Sequence, residues 1–265
     1  LRFLDFEYDG LTLSEQGYVI CEFGSKGIET SSNGSEISFN TVSVLRGAKH
    51  ELTSTEYGSY LTTTFSICKH PCFTDDSVIT ILESRQIMKW LNRRGFHKFK
   101  LLGDYDLIDI YFEASFNVSK IEFNGKIYGF ELEIITNRPF ALREPLSFVF
   151  ENEEENTVRQ IHSKSDDEGY IYPNMEIEMY ADGDLEIHNE LENRTMQIKN
   201  CKAGEIIKIN YPVIETSLTS HKIQKDFNWI FFRLASSFKD STNIFTISIP
   251  CKTTITYSPI VKIGI

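Results

Sequence analysis

Cys68-Lys69-His70-Pro71-Cys72 sets two thiols and an imidazole within five residues, enough for three zinc ligands. A structural zinc site wants a fourth ligand, usually from a second knuckle, and Cys21, Cys201 and Cys251 stand isolated. The spacing is C-x3-C, not the C-x-x-C of thioredoxin-like redox sites, and no βαβ pattern surrounds it. The alternative reading is a strand over residues 61–67 that runs into a proline-containing turn. The second cluster is Trp90-Leu91-Asn92-Arg93-Arg94-Gly95-Phe96-His97-Lys98-Phe99-Lys100, with four cations, a histidine and three aromatics. Basic and aromatic residues interleaved in this way are what a nucleic acid would need.

Other chemistry is hard to place. His50, His70, His97, His162, His188 and His221 fall in no metalloprotease pattern, and no nucleophile elbow, Walker loop or dinucleotide fingerprint occurs. Gly24-Ser25-Lys26-Gly27 lacks the phosphate-loop spacing and reads as a hairpin tip. Acid pairs such as Asp104/Asp106 and Glu176/Glu178 read as solvated strand faces; a glycosidase pair would have to converge across a cleft. Trp229 beside Asn228 is the one candidate for stacking on a sugar, but it sits in the apolar run 227–232, where burial is expected. The sequence therefore assigns no catalytic, cofactor-binding or metal-ligating residue, and an enzyme is not expected.

The elements that must carry these residues are mostly strands. Phe130-Glu131-Leu132-Glu133-Ile134 and Met175-Glu176-Ile177-Glu178-Met179 alternate as half-buried strands do. Asn124-Gly125 between Ile121-Glu122-Phe123 and Lys126-Ile127-Tyr128 is a strong hairpin signal. Residues 74–94 break the pattern: they hold no Gly or Pro, and Ile79, Leu82, Ile87 and Trp90 recur at helical spacing. Thr74, Asp75 or Asp76 would cap that helix and Gly95 would follow it. Arg93 and Arg94 would then lie in its last turn, where cations offset the helix dipole by about 0.3–1 kcal/mol each. Lys98 and Lys100 would flank Phe99 on the outward side of a strand. This structural account ranks above nucleic-acid binding, and a contact between copies of the chain ranks below the helix cap.

The bulk numbers agree. The 265 residues carry 27 basic and 38 acidic side chains, net −11, which disfavours duplex nucleic acid as a partner. No apolar run approaches the ~18 residues of a membrane span, and LRFLDFEYDG has no basic leader region, so neither a membrane segment nor a signal peptide is expected. Five scattered cysteines suit free thiols in a reducing compartment, where Asn-x-Ser/Thr triplets at Asn33, Asn117 and Asn193 carry no meaning. Length favours two domains. Arg138-Pro139-Phe140-Ala141-Leu142-Arg143-Glu144-Pro145 marks their boundary, followed by a solvated acidic loop at residues 151–156. The halves are electrostatically alike, net −5 and −6.

In their order, several segments resemble the distal tail proteins of siphophages, the phage tail component family. The run 87–99 is followed by Asp109-Ile110-Tyr111-Phe112-Glu113-Ala114-Ser115-Phe116, the Asn124-Gly125 hairpin, and Thr136-Asn137-Arg138-Pro139-Phe140-Ala141. The second half continues with Tyr172-Pro173-Asn174-Met175, Gly183-Asp184-Leu185-Glu186-Ile187-His188-Asn189, Gly204-Glu205-Ile206-Ile207-Lys208-Ile209, Phe227-Asn228-Trp229 and Thr254-Ile255-Thr256-Tyr257-Ser258-Pro259. The resemblance implies a mainly β chain: an N-terminal ring-forming β domain, residues 1–142, with a helix near 75–94, then a C-terminal galectin-like β-sandwich, residues 143–265. It implies a non-enzymatic hub of a phage or prophage tail tip or baseplate, without cofactor. Six copies would close a ring that joins the tail tube protein to the tail-tip protein and can anchor a receptor-binding protein for host attachment. The place implied is the virion tail tip, or a tail-like particle, assembled in the bacterial host cytoplasm, with neither nucleic acid nor membrane as partner. The C-terminal half is too short for the long carbohydrate-binding insertions of some relatives. The alternative is a carbohydrate-binding or adhesin module using the galectin-like sandwich.

Overall fold

Alternating residues become antiparallel strands almost throughout a computed structural model, which describes residues 4–23, 36–44, 47, 49–58, 60–72, 76–239 and 241–264. The Gly24-Ser25-Lys26-Gly27 tip, the Asn33 triplet and the caps at Thr74 and Asp75 lie outside the described residues. The chain forms two compact units, residues 1–142 with 261–265, and residues 143–260. Residues 261–265, expected in the C-terminal half, group with the first unit, where Val261 and Ile263 pack on its core.

The first unit holds β1 (Asp5–Tyr8), β2 (Leu11–Thr12), β3 (Tyr18–Cys21), β4 (Ile37–Val44), β5 (Lys49–Tyr57) and β6 (Thr62–Lys69). Helix α1 (Ile81–Leu91) follows, then β7 (His97–Leu102), β8 (Ile110–Phe123) and β9 (Lys126–Thr136). The main path of its large sheet is β2-β1-β7-β8-β9-β6-β3, whereas β4 and β5 pair only with each other. Asn124 and Gly125 both take positive φ, 49° and 73°, in the tight turn joining β8 to β9, as the Asn-Gly signal requires. The core is aromatic. Phe6 stacks on Trp90 with centroids 5.7 Å apart, Tyr8 meets Phe116 edge-on at 4.9 Å, and the Trp90 indole N–H donates to Tyr8 O at 3.1 Å.

Helix α1 starts later and ends earlier than its sequence pattern suggests. Its cap is Thr80, not Asp76: Thr80 Oγ1 accepts from Glu83 N at 3.3 Å while Glu83 Oε2 accepts from Thr80 N at 2.7 Å, a capping box. Ile79 is instead drawn into a bridge with Ile127, its N–H donating to Ile127 O at 2.8 Å. Asn92 closes the helix, so Arg93, Arg94 and Gly95 lie in the turn beyond it. Ile87 and Trp90 face the core, but Leu82 is exposed.

After β10 (Ala141–Arg143), the second unit contains β11 (Leu146–Asn152), β12 (Thr157–His162), β13 (Gly169–Ile171), β14 (Asn174–Met179), β15 (Gly183–Asn189) and β16 (Arg194–Cys201). Next come β17 (Ile206–Asn210), β18 (Val213–Thr216), the single turn α2 (Ile223–Asp226), β19 (Leu234–Ser236), β20 (Thr242–Ile247) and β21 (Cys251–Tyr257); β22 (Ile260–Val261) ends the order. Two sheets, β11-β21-β14-β17-β18 and β12-β20-β15-β16, enclose one core of Met175, Ile177, Ile187, Ile198, Phe245 and Ile255 among others, a β-sandwich. The acidic stretch is only partly loop. Glu151 and Asn152 belong to β11, and buried Asn152 donates to Cys251 O at 3.0 Å and accepts from Arg159 Nε at 2.8 Å. Among the described residues no helix is long and apolar enough to cross a membrane.

Candidate functional site

The Cys68–Cys72 segment does not assemble as a metal centre. Cys68 ends β6 while Cys72 is exposed in the turn, and the Cys72 N–H donates to His70 Nδ1 at 3.1 Å, turning one possible ligand atom toward the backbone. Cys68 instead hydrogen-bonds Cys21 across the β3–β6 pair; burial, followed by that bond, pushes the Cys21 thiol up. Among the described residues no group of three or more His, Cys, Asp and Glu side chains is placed to hold a metal ion. All five cysteines are free.

The basic–aromatic run fastens the fold to itself. Arg93 Nη1 meets Asp9 Oδ2 at 2.8 Å, and its guanidinium lies 5.0 Å over the Tyr8 ring. The Arg93 hydrogen bond, with the added charges of Arg93 and His97, holds the Asp9 carboxyl below the usual range. His97 Nε2 lies 3.2 Å from Arg94 O. Lys98 and Lys100 flank buried Phe99 on β7, as the alternation predicts, and Lys98 covers the Tyr111 ring at 4.7 Å. The helix-dipole role expected for Arg93 is replaced by this long-range pairing with Asp9, because the helix stops short of it.

The acid pairs are structural. Asp104 Oδ1 accepts from Asp106 N at 3.0 Å and caps the short turn of 105–107, while Glu176 pairs with Lys208 at 3.1 Å on an exposed strand face. The most buried charge cluster was not readable from the sequence. Glu205, fully buried, accepts from His221 Nδ1 at 2.6 Å, from the Lys202 N–H at 2.9 Å and from the Thr216 hydroxyl. His221 Nε2 is buried 3.4 Å from Asp226 Oδ2, without the alignment of a hydrogen bond. Sixteen residues and a strand pair separate Glu205 from His221, and no motif marks such a pair.

Trp229 differs from its expectation. It is 55% exposed, not buried, and takes a left-handed φ of 60°. Asn228 is the reason. Its N–H donates to Gln197 O at 3.0 Å, its amide donates to Thr195 O at 3.0 Å, and its Oδ1 accepts from Ile230 N at 3.0 Å. Asn228 thus pins the chain on both sides and turns the indole outward. Trp229 sits 5.6 Å from Phe227 and 6.4 Å from Phe231, whose ring continues through Tyr211 to Tyr172, stacked at 4.0 Å.

Two more surfaces escaped sequence reasoning. The β4–β5 register places Ile37, Phe39 and Leu52 on one face of an isolated ribbon, and all three are exposed. On the outer side of α1, Ile81, Leu82 and Val118 line an open cleft of about 720 Å³ rimmed by Arg85, Lys89 and Lys120.

No curated protein matches the chain. The crystal structure of the Dit protein of phage SPP1, described as a paradigm of hub adsorption apparatus in Gram-positive infecting phages, shares the fold. It superposes with a TM-score of 0.65 at 10% identity, covering 97% of this chain and 99% of that one. The phage tail protein N-terminal domain family matches residues 1–138 and the phage tail C-terminal domain family matches residues 140–257, so the chain belongs to the phage tail proteins.

Proposed function

We propose that this phage tail protein is a non-enzymatic hub of the tail tip or baseplate. Six copies close a ring that joins the tail tube protein to the tail-tip protein and anchors a receptor-binding protein through the C-terminal unit, a galectin-like sandwich in this reading. The protein takes its place in the virion tail tip after assembly in the host cytoplasm. The observation that carries the reading is the end-to-end likeness to a hub protein, 97% of one chain against 99% of the other, within a tail protein family. A closed ring needs two different surfaces on each subunit. Light scattering coupled to size exclusion tests it: a discrete species near six copies of 30.6 kDa, roughly 184 kDa, is expected across a concentration series. A stable dimer or trimer that never closes to six would overturn the ring.

The outward indole of Trp229 favours a second reading, a carbohydrate-binding face on the C-terminal unit. Exposed aromatic faces bind sugar by stacking; Tyr170 and Tyr211 are half-exposed too, each with one face taken, by Arg233 and by Tyr172. A glycan array should then show specific binding that Trp229→Ala abolishes while circular dichroism stays unchanged. An array with no signal above background removes this reading.

A further inference from the structure

We propose that the cleft between α1 and the β3–β6 pair is a binding site for a small neutral polyol, the size of a single sugar ring. The cleft has a volume of about 240 Å³ and is walled by three elements of the first unit. Tyr18 and Lys69 stand opposite each other in the β3–β6 register. Glu83, Gln86 and Ile87 come from one side of α1, and Gln16 rims the cleft from the short turn of 14–16. Gly17, at φ 81° and without a side chain, leaves the mouth clear.

The polar groups around it are unequally satisfied. Both Glu83 oxygens are taken, Oε1 by Lys69 at 2.8 Å and Oε2 by the Thr80 N–H at 2.7 Å and the Thr80 hydroxyl at 2.8 Å. Lys69 Nζ gives a second N–H to Val78 O at 2.7 Å and keeps a third. Tyr18 is only 6% exposed, yet its hydroxyl has no hydrogen-bond partner among the described residues. A buried hydroxyl without a partner is unfavourable, so this one calls for an oxygen from a ligand. Burial, and then the Glu83 charge, push the phenol up to about 12, so it keeps its proton and can donate. The side-chain amides of Gln16 and Gln86 also lack partners among the described residues, and each offers a donor beside an acceptor. Charge then narrows the ligand. Lys69 is matched by Glu83, an anion would meet the Glu83 carboxylate, and a cation would find both its oxygens occupied. Neighbouring hydroxyls of a neutral polyol fit what remains: they accept from Tyr18 and Lys69 and answer the two amides, while the C–H side turns toward Ile87.

Ligand-observed saturation-transfer NMR on the full chain tests the site, with glucose, N-acetylglucosamine, ribitol and glycerol as probes and inorganic phosphate as competitor. At least one polyol should show transfer that phosphate does not displace. Transfer to the sugars alone assigns a cyclic ligand, and transfer to ribitol or glycerol an open-chain one. Tyr18→Phe should weaken binding by about tenfold at unchanged melting temperature, because it removes a hydroxyl with no internal partner. Gln86→Leu should weaken it as well. No transfer from any probe up to about 50 mM overturns the proposal, as does displacement by phosphate. A signal that survives both variants but disappears in Trp229→Ala belongs to the C-terminal unit and overturns it too. A melting temperature lowered by Tyr18→Phe would show that the hydroxyl serves the fold, with the same consequence.

Discussion

Replacing His221 with alanine should destabilise the C-terminal unit far more than an ordinary surface change. Glu205 has no exposed surface, and the imidazole is one of its three partners, beside the Lys202 N–H and the Thr216 hydroxyl. Without His221 the Glu205 carboxyl keeps its burial and loses one of its three hydrogen-bond donors, a loss of about 1.5–3 kcal/mol. With a urea slope of about 2 kcal/mol per molar, the midpoint should fall by about 1 M. The two tryptophans lie in different units, Trp90 in the first and Trp229 in the second, so a Trp90→Phe background leaves Trp229 to report on the C-terminal unit alone. Its fluorescence is sensitive to unfolding because Phe227 and Phe231 pack around it. Glu205→Ala should show a similar loss, and the double variant should cost at least about 1 kcal/mol less than the sum, the sign of direct coupling. A His221→Ala loss under about 1 kcal/mol, or additivity within about 0.5 kcal/mol, would refute the reasoning.

Three further predictions follow from local geometry. Thr80→Ala removes the side-chain half of the α1 capping box and should cost about 1 kcal/mol, measurable as a lower urea midpoint reported by Trp90 fluorescence. Burial works against the Glu83 charge, but hydrogen bonds from Lys69 and Thr80 outweigh it and hold the carboxyl below its ordinary value of 4.5. A carboxylate depressed in the folded state contributes stability that is present above its unfolded value and lost as pH falls through the folded one, so Glu83→Gln should flatten the stability decline below about pH 4.5. Gly129→Ala would set a methyl carbon 2.5 Å from Ile67 O and 2.7 Å from Phe23 Cζ; the Phe23 ring can turn aside, but the β6 backbone cannot, so thermal melting should show a loss of about 2 kcal/mol or more.

How far the sequence could be read depended on the range of the signal. Strand alternation and the Asn124-Gly125 turn are local, and both appear where expected because period-two burial needs only neighbouring residues. The extent of α1 misled, since helical spacing continues upstream of Thr80, while the bridge from Ile79 to Ile127 lies 48 positions apart in the chain and leaves no local trace. Arg93 was read as a dipole partner because Asp9, 84 residues away, could not be seen beside it. Trp229 was expected inside because it sits in the apolar run 227–232, whose Phe227, Phe231 and Phe232 are buried; only the side-chain bonds of Asn228 to the backbone show that this one ring is turned out. The ribbon's apolar face was present in the alternation of Ile37 and Phe39, but alternation alone gives no sign that a strand pair stands clear of the sheet that would bury it.

The central claim is a place at the tip of the tail. Gold-labelled antibody against this chain, applied to the tailed particles that carry it and viewed by electron microscopy, tests that place directly. The account predicts label confined to the end of the tail away from the capsid. Label spread along the tube, or found only at the capsid end, would contradict it.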